Sequence, residues 1–123
     1  MPTAEMKSFD SPDETPPAGR AKVDIVNLGG YKIQRFSMEP GWKWSTDMKP
    51  IVNTDTCHRT HMGVCPTGRI RVRMDDGSEI EYDPNEAYSI PPGHDGWVVG
   101  DEPATGIEWS RTSSGLITQG LGA

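Results

Sequence analysis

The segment from Arg69 to Tyr82 has one good register as a β-hairpin, and that register constrains the fold of the whole chain. Ile70, Val72 and Met74 alternate with Arg69, Arg71 and Arg73. After Asp75-Asp76-Gly77, Ile80 and Tyr82 alternate with Glu79 and Glu81. Such period-two alternation marks strands with one buried face. A three-residue loop with Gly77 in the left-handed conformation would join them. It opposes Val72 to Ile80 and Ile70 to Tyr82 inside, and Arg73 to Glu79 and Arg71 to Glu81 outside. A two-residue loop would set Arg73 against Ile80 and exchange the faces. Each exposed Arg–Glu pair contributes only about a few tenths of a kcal/mol, so its larger effect is to choose the register.

The remaining chain is punctuated in the same way. Its 123 residues include 14 Gly and 11 Pro, and only 33% are apolar, which allows one domain with a small core. No segment sustains helical periodicity. Strands are expected over residues 22–28 and 31–38, around Gly29-Gly30, with Gln34, Phe36 and Met38 on one face of the second. Trp42 and Trp44 share a face if the chain there is extended, as barrel wall, pocket wall or subunit interface. Tyr88 and Ile90 point inward, Trp97 to Val99 form a short strand, and residues 104–110 close with Ile107 and Trp109 on one face. Short strands between frequent turns indicate an all-β sandwich or barrel over residues 21–112. Residues 1–20 are rich in Pro and acidic side chains and read as a flexible tail, or as an arm crossing to a partner subunit. Residues 113–123 read as a C-terminal tail.

A net charge of −6 argues against a nucleic-acid partner. The stripe of Arg69, Arg71 and Arg73 is the solvated face of a strand. No apolar run approaches the roughly 20 residues of a membrane span, and the polar, acidic start shows no secretory signal. The expected compartment is the cytoplasm, where Cys57 and Cys65 are thiols.

Both cysteines and two of the three histidines fall between Asp55 and Gly68; the third, His94, follows a rigid Pro91-Pro92-Gly93 turn. With a tight turn at His58-Arg59-Thr60, Cys57 and His61 face the same way, Asp55 lies one step along, and His58 points away. Thiolate, imidazole and carboxylate in one place suit a divalent transition ion, zinc or iron. His94 could complete the set. Cys65 also faces inward, but four residues on, too far from Cys57 for a disulfide; it reads as core at the pocket wall.

These stretches resemble the small single-domain bacterial cupins, whose first motif carries two histidines, a glutamate and a closing glycine, and whose second carries a further histidine. Anchored on Gly68, the first motif's ligand positions fall on Asp55, Cys57 and His61. Anchored on Pro91-x-Gly93, the second places its histidine at Gly96, which cannot ligate, while His94 lies two residues earlier on the same strand parity. The resemblance covers about residues 35–110 and implies a double-stranded β-helix (jelly-roll) barrel that pairs as a homodimer through edge strands. It also implies a metal holding a small-molecule ligand in the barrel, with Cys57, His61 and His94 as ligands. In that reading Asp55 is a fourth ligand or general base, Asp55 and Tyr88 are the candidate catalytic residues, and Tyr88 and Gln34 line the pocket. The function classes in competition are a metal-dependent isomerase, lyase or dioxygenase, a ligand-binding or regulatory module without turnover, and a metal-free barrel.

Overall fold

The computed structural model describes residues 3–111. Eight strands and two short helices follow in order: β1 (Ala21–Leu28), β2 (Tyr31–Met38), α1 (Trp44–Asp47), α2 (Lys49–Val52), β3 (His61–Cys65), β4 (Ile70–Met74), β5 (Glu79–Tyr82), β6 (Glu86–Ile90), β7 (His94–Val98) and β8 (Ala104–Arg111). They form two antiparallel sheets, β1-β2-β8-β3-β6 and β5-β4-β7. The core between them includes Phe36, Met38, Cys65, Ile70, Val72, Tyr82, Tyr88 and Ile90. The rings of Tyr82 and Tyr88 stack at 4.3 Å.

The hairpin has the register its sequence requires: Ile70 opposes Tyr82, Arg71 opposes Glu81, Val72 opposes Ile80 and Arg73 opposes Glu79. Gly77 takes φ +90°, as the turn demands. Two details differ. Ile80 is 50% exposed, because β5 is the outer strand of its sheet and its open end is uncovered. The tightest ion pair is diagonal, with Arg71 holding both Glu79 (2.6 Å) and Glu81 (3.0 Å).

On β8 the faces are the reverse of what its apolar residues suggest. Ala104, Gly106, Glu108 and Ser110 are buried, while Trp109 is exposed. The small inner residues make room for β2. The ring of Phe36 lies directly on Gly106, so that any Cβ there would collide with it. Gly106→Ala should therefore overpack this contact and cost about 1–3 kcal/mol in denaturant unfolding, with Gly106→Val costing more. An unchanged unfolding midpoint in both variants would show that the ring has room to move.

Trp44 is not on a strand with Trp42. It opens α1, where Asp95 from β7 accepts the Ser45 N–H at 3.1 Å and Asp47 accepts the Lys43 N–H at 3.0 Å. Four residues are too few for helical periodicity to show. The N-terminal arm also departs from expectation. It folds back on its own barrel: Glu14 forms a bridge with Ile25 on the β1 edge, the Trp42 indole N–H donates to Ala18 O at 3.1 Å, and Arg20 makes a two-point pair with Asp47. Ala18 is buried. These bonds offset the ordering entropy that a Pro-rich acidic segment cannot meet alone. The expected tail at 113–123 lies outside the described residues.

Candidate metal centre

Three elements bring the candidate ligands together. Cys57 has no strand of its own. It is fixed by an isolated bridge to His94, with Cys57 N–H donating to His94 O at 2.7 Å and Gly93 N–H donating to Cys57 O at 2.7 Å. His94 opens β7 and His61 opens β3. The three ligand atoms all lie within 4.8 Å of one another, and Cys57 Sγ is 3.5 Å from His61 Nε2. Zn–S of about 2.3 Å and Zn–N of about 2.0–2.1 Å at a tetrahedral angle give a ligand separation of about 3.5 Å. The Cys57–His61 separation matches ligation of one ion, and the His94 ligand atom lies within 4.8 Å of both.

Both imidazoles are oriented for that role. His94 Nδ1 lies 2.8 Å from the Pro91 carbonyl, which can only accept, so Nδ1 carries a proton and the neutral ring's lone pair falls on Nε2. His61 Nδ1 lies 2.8 Å from Glu108 Oε1, which fixes the same tautomer when the ring is neutral. A carboxylate behind a ligating histidine sets ring orientation and raises basicity. The two rings meet edge to face at 5.0 Å.

Glu108 is the residue that sequence reasoning missed. It is 4% exposed. Its Oε1 also accepts from Gln34 Nε2 at 3.2 Å, and its Oε2 accepts from the Tyr88 hydroxyl at 2.6 Å. Gly63, opposite it on β3, has no side chain to obstruct the carboxylate: a Cβ there would fall 2.8 Å from Glu108 Cγ. The usable signal was the parity of Glu108 with Ala104 and Gly106.

The electrostatics are strongly coupled. Burial pushes the Cys57 thiol up, but the imidazoles of His61 and His94 outweigh it and lower it to about 6. Burial pushes His61 down, but Glu108 and the Cys57 sulfur raise it to about 10. Burial pushes Glu108 up; His61, Tyr88 and Gln34 hold it below the ordinary carboxylate range. Tyr88 is raised by burial and by Glu108. Burial lowers Arg59 to about 10, opposed by the charges of Cys57 and Glu108.

A cavity of about 400 Å³ opens beside the cluster, bounded by both sheets, the arm and the short helices. Cys57, His61, His94, Gln34 and Trp44 line it. Three residues expected at the site are elsewhere. The Asp55 carboxylate is fully exposed and lies 3.8 Å from Lys49 Nζ, because Cys57 sits in a lone bridge and strand alternation does not extend back to Asp55. Tyr88 stands behind Glu108, its hydroxyl committed there and not to the cavity. Cys65 is fully buried in the core, its Sγ within 3.3 Å of Thr67 O, and does not reach the cavity wall. His58 and Arg59 do line the cavity.

No protein-family model and no curated protein matches the sequence. Solved structures match at the level of fold. The chain is similar to a sugar phosphate isomerase from a cupin superfamily, from Silicibacter pomeroyi, with TM-score 0.62 and 18% identity over 89% of this chain and 76% of that one. It is similar to a Rhizobium leguminosarum protein of unknown function, with TM-score 0.61 and 20% identity over 87% and 95%. It is also similar to the cupin domain of Schizosaccharomyces pombe Cnp3, with TM-score 0.57 and 14% identity over 86% and 72%. The topology thus agrees with what the motif spacing suggested, and the chain is a small barrel of the cupin fold.

Proposed function

We propose that the protein is a metal-dependent cupin acting on a small molecule held inside the barrel, by isomerase-, lyase- or dioxygenase-type chemistry, with zinc or iron at Cys57, His61 and His94. One observation carries this reading: three ligand atoms within 4.8 Å of one another, on the wall of a cavity of ligand size. Three protein ligands leave a coordination position for substrate or water, as catalytic sites do, whereas structural sites are closed by four. A bound ion would supply Lewis acidity or an activated oxygen species there. The chain's own residues do the rest. Glu108 orients His61 and keeps its Nδ1 proton in place, and Gln34 and Tyr88 fix Glu108.

A second reading, a ligand-binding module without turnover, is favoured by one feature. The carboxylate expected as general base, Asp55, is outside, and the Tyr88 hydroxyl is occupied by Glu108.

The test is elemental analysis of protein purified without added metal or affinity tag, beside His61→Ala. About one equivalent of metal in the wild type, lost in the variant, is expected. Full retention in His61→Ala would remove that residue as a ligand. Absence from both after zinc, iron, manganese and nickel are supplied would end the metalloprotein reading.

A further inference from the structure

Arg59 lies on the loop between Cys57 and His61 and lines the cavity. It makes no hydrogen bond or ion pair with any described residue, and its Nη2 is buried without a partner. A guanidinium offers five N–H donors on a permanent charge, and a buried polar group left unpaired is rare in native proteins. The neighbouring anions are occupied. Cys57 faces His61, and Glu108 is shared by His61, Tyr88 and Gln34. The cavity's lysine is occupied too, since Lys32 pairs with Glu14 at 3.3 Å. Arg59 is therefore the permanent cation on the cavity wall, among the described residues, that has no partner.

We propose that Arg59 is the ligand-recognition residue of this cavity, and that the small molecule it takes is a monocarboxylate with an apolar body. The inference deepens the functional reading above and rests on it for the chemistry that follows binding. Three observations select this class. A planar guanidinium matches a carboxylate with two parallel hydrogen bonds. Val23, Ile25, Phe36, Trp42, Trp44 and Val72 give the rest of the cavity apolar walls. The charges also match: Arg59 is a single positive charge without a partner, and a monocarboxylate brings a single negative one. A phosphate dianion would bring one negative charge more than Arg59 balances.

The test titrates zinc-loaded and metal-free protein with phenylacetate by calorimetry, with phenylacetamide as the neutral analogue and phenyl phosphate as the dianion. Phenylacetate should bind zinc-loaded wild type. Phenylacetamide should bind it about tenfold more weakly or worse, as should phenylacetate to Arg59→Gln, because each loses a charge-assisted bond. Arg59→Lys should retain part of the affinity, and zinc stoichiometry should be unchanged in both variants. Without ligand, Arg59→Gln should melt at or above the wild type, because it removes a half-buried charge that has no partner; a purely structural arginine would melt lower when replaced. Equal binding of phenylacetamide, tighter binding of phenyl phosphate, undiminished affinity in Arg59→Gln, or no phenylacetate binding in either metal state would each overturn the proposal. If the protein takes up no zinc, the metalloprotein reading fails separately. The metal-free titrations with the same variants then decide the role of Arg59.

Discussion

Glu108→Ala should cost about 3–5 kcal/mol of stability and weaken metal binding by about 10- to 100-fold. The side chain is buried at the closing strand of the barrel and accepts from three donors, His61 Nδ1 at 2.8 Å, Gln34 Nε2 at 3.2 Å and the Tyr88 hydroxyl at 2.6 Å. Truncation leaves all three without their acceptor, and an unsatisfied buried donor costs about 1–3 kcal/mol. It also frees the His61 ring to turn, so that Nε2 no longer faces Cys57. Glu108→Gln separates the two effects. It keeps the volume and one carbonyl acceptor but loses the charge, so the stability loss should be smaller while His61 loses its main support as a cation. The acid limb should change as well. A carboxyl held below its ordinary range stabilises the fold above its unfolded pKa, and the contribution is lost as pH falls through the folded value. Wild-type stability should therefore fall at low pH more steeply than that of Glu108→Gln. Urea unfolding of metal-free protein and competition titration with a chromophoric chelator measure the two losses. A Glu108→Ala protein within about 1 kcal/mol of wild type, with unchanged metal affinity, would reduce Glu108 to a spectator.

That this residue escaped sequence reading has a physical cause. Along β8 the large apolar residues Ile107 and Trp109 face outward, and the inner face is built from Ala104 and Gly106 because Phe36 presses against it. Alternation found the strand and put Ile107 and Trp109 on one face, but residue size alone would have turned that face inward. The hairpin was legible because everything that fixes it is local: the Asp-Asp-Gly turn, the alternation and the charge pairing lie within fourteen consecutive residues. The tight turn expected at His58-Arg59-Thr60 is absent, and Cys57 meets His61 only through side chains, since its backbone partner is His94. The exclusion of Asp55 could not be read locally, since it follows from a bridge between Cys57 and His94, far apart in sequence. The arm fails for the same reason. Its composition gives no core of its own, and its anchors, Ile25, Trp42 and Asp47, belong to the barrel. Gln34 could be placed on the inner face of β2 by parity alone, but its partner could not.

In the metal-free protein Cys57 should be half ionised near pH 6 instead of near pH 9, a change of about a thousandfold in its thiolate-to-thiol ratio. The His61 ring stays protonated to about pH 10 beside it, so between these limits the pair exists as thiolate and imidazolium. The signs of the two contributions are opposite. Cys57 has a folded pKa below its ordinary 9.0, so its contribution is complete above pH 9 and is lost as pH falls towards 6. His61 has a folded pKa above its ordinary 6.5, so its contribution is complete below pH 6.5 and is lost as pH rises towards 10. From pH 6.5 to 9 the slopes cancel, and the pair leaves stability nearly level. Cys57→Ser removes the rising slope, so the variant's stability should decline with increasing pH where the wild type's does not. The direct measurement is the ultraviolet absorbance of the thiolate in chelator-treated protein, taken as wild type minus Cys57→Ser. Cys65 remains in both proteins and drops out of the difference; its own thiol is pushed up by burial. The difference should titrate near pH 6, and His61→Ala should move its midpoint upward. A wild-type midpoint near 9 would show that the two side chains meet as neutral groups, with both protons to be released when a metal binds. With the ion pair in place the thiolate is already formed, and of this pair metal uptake need displace only the proton on His61 Nε2.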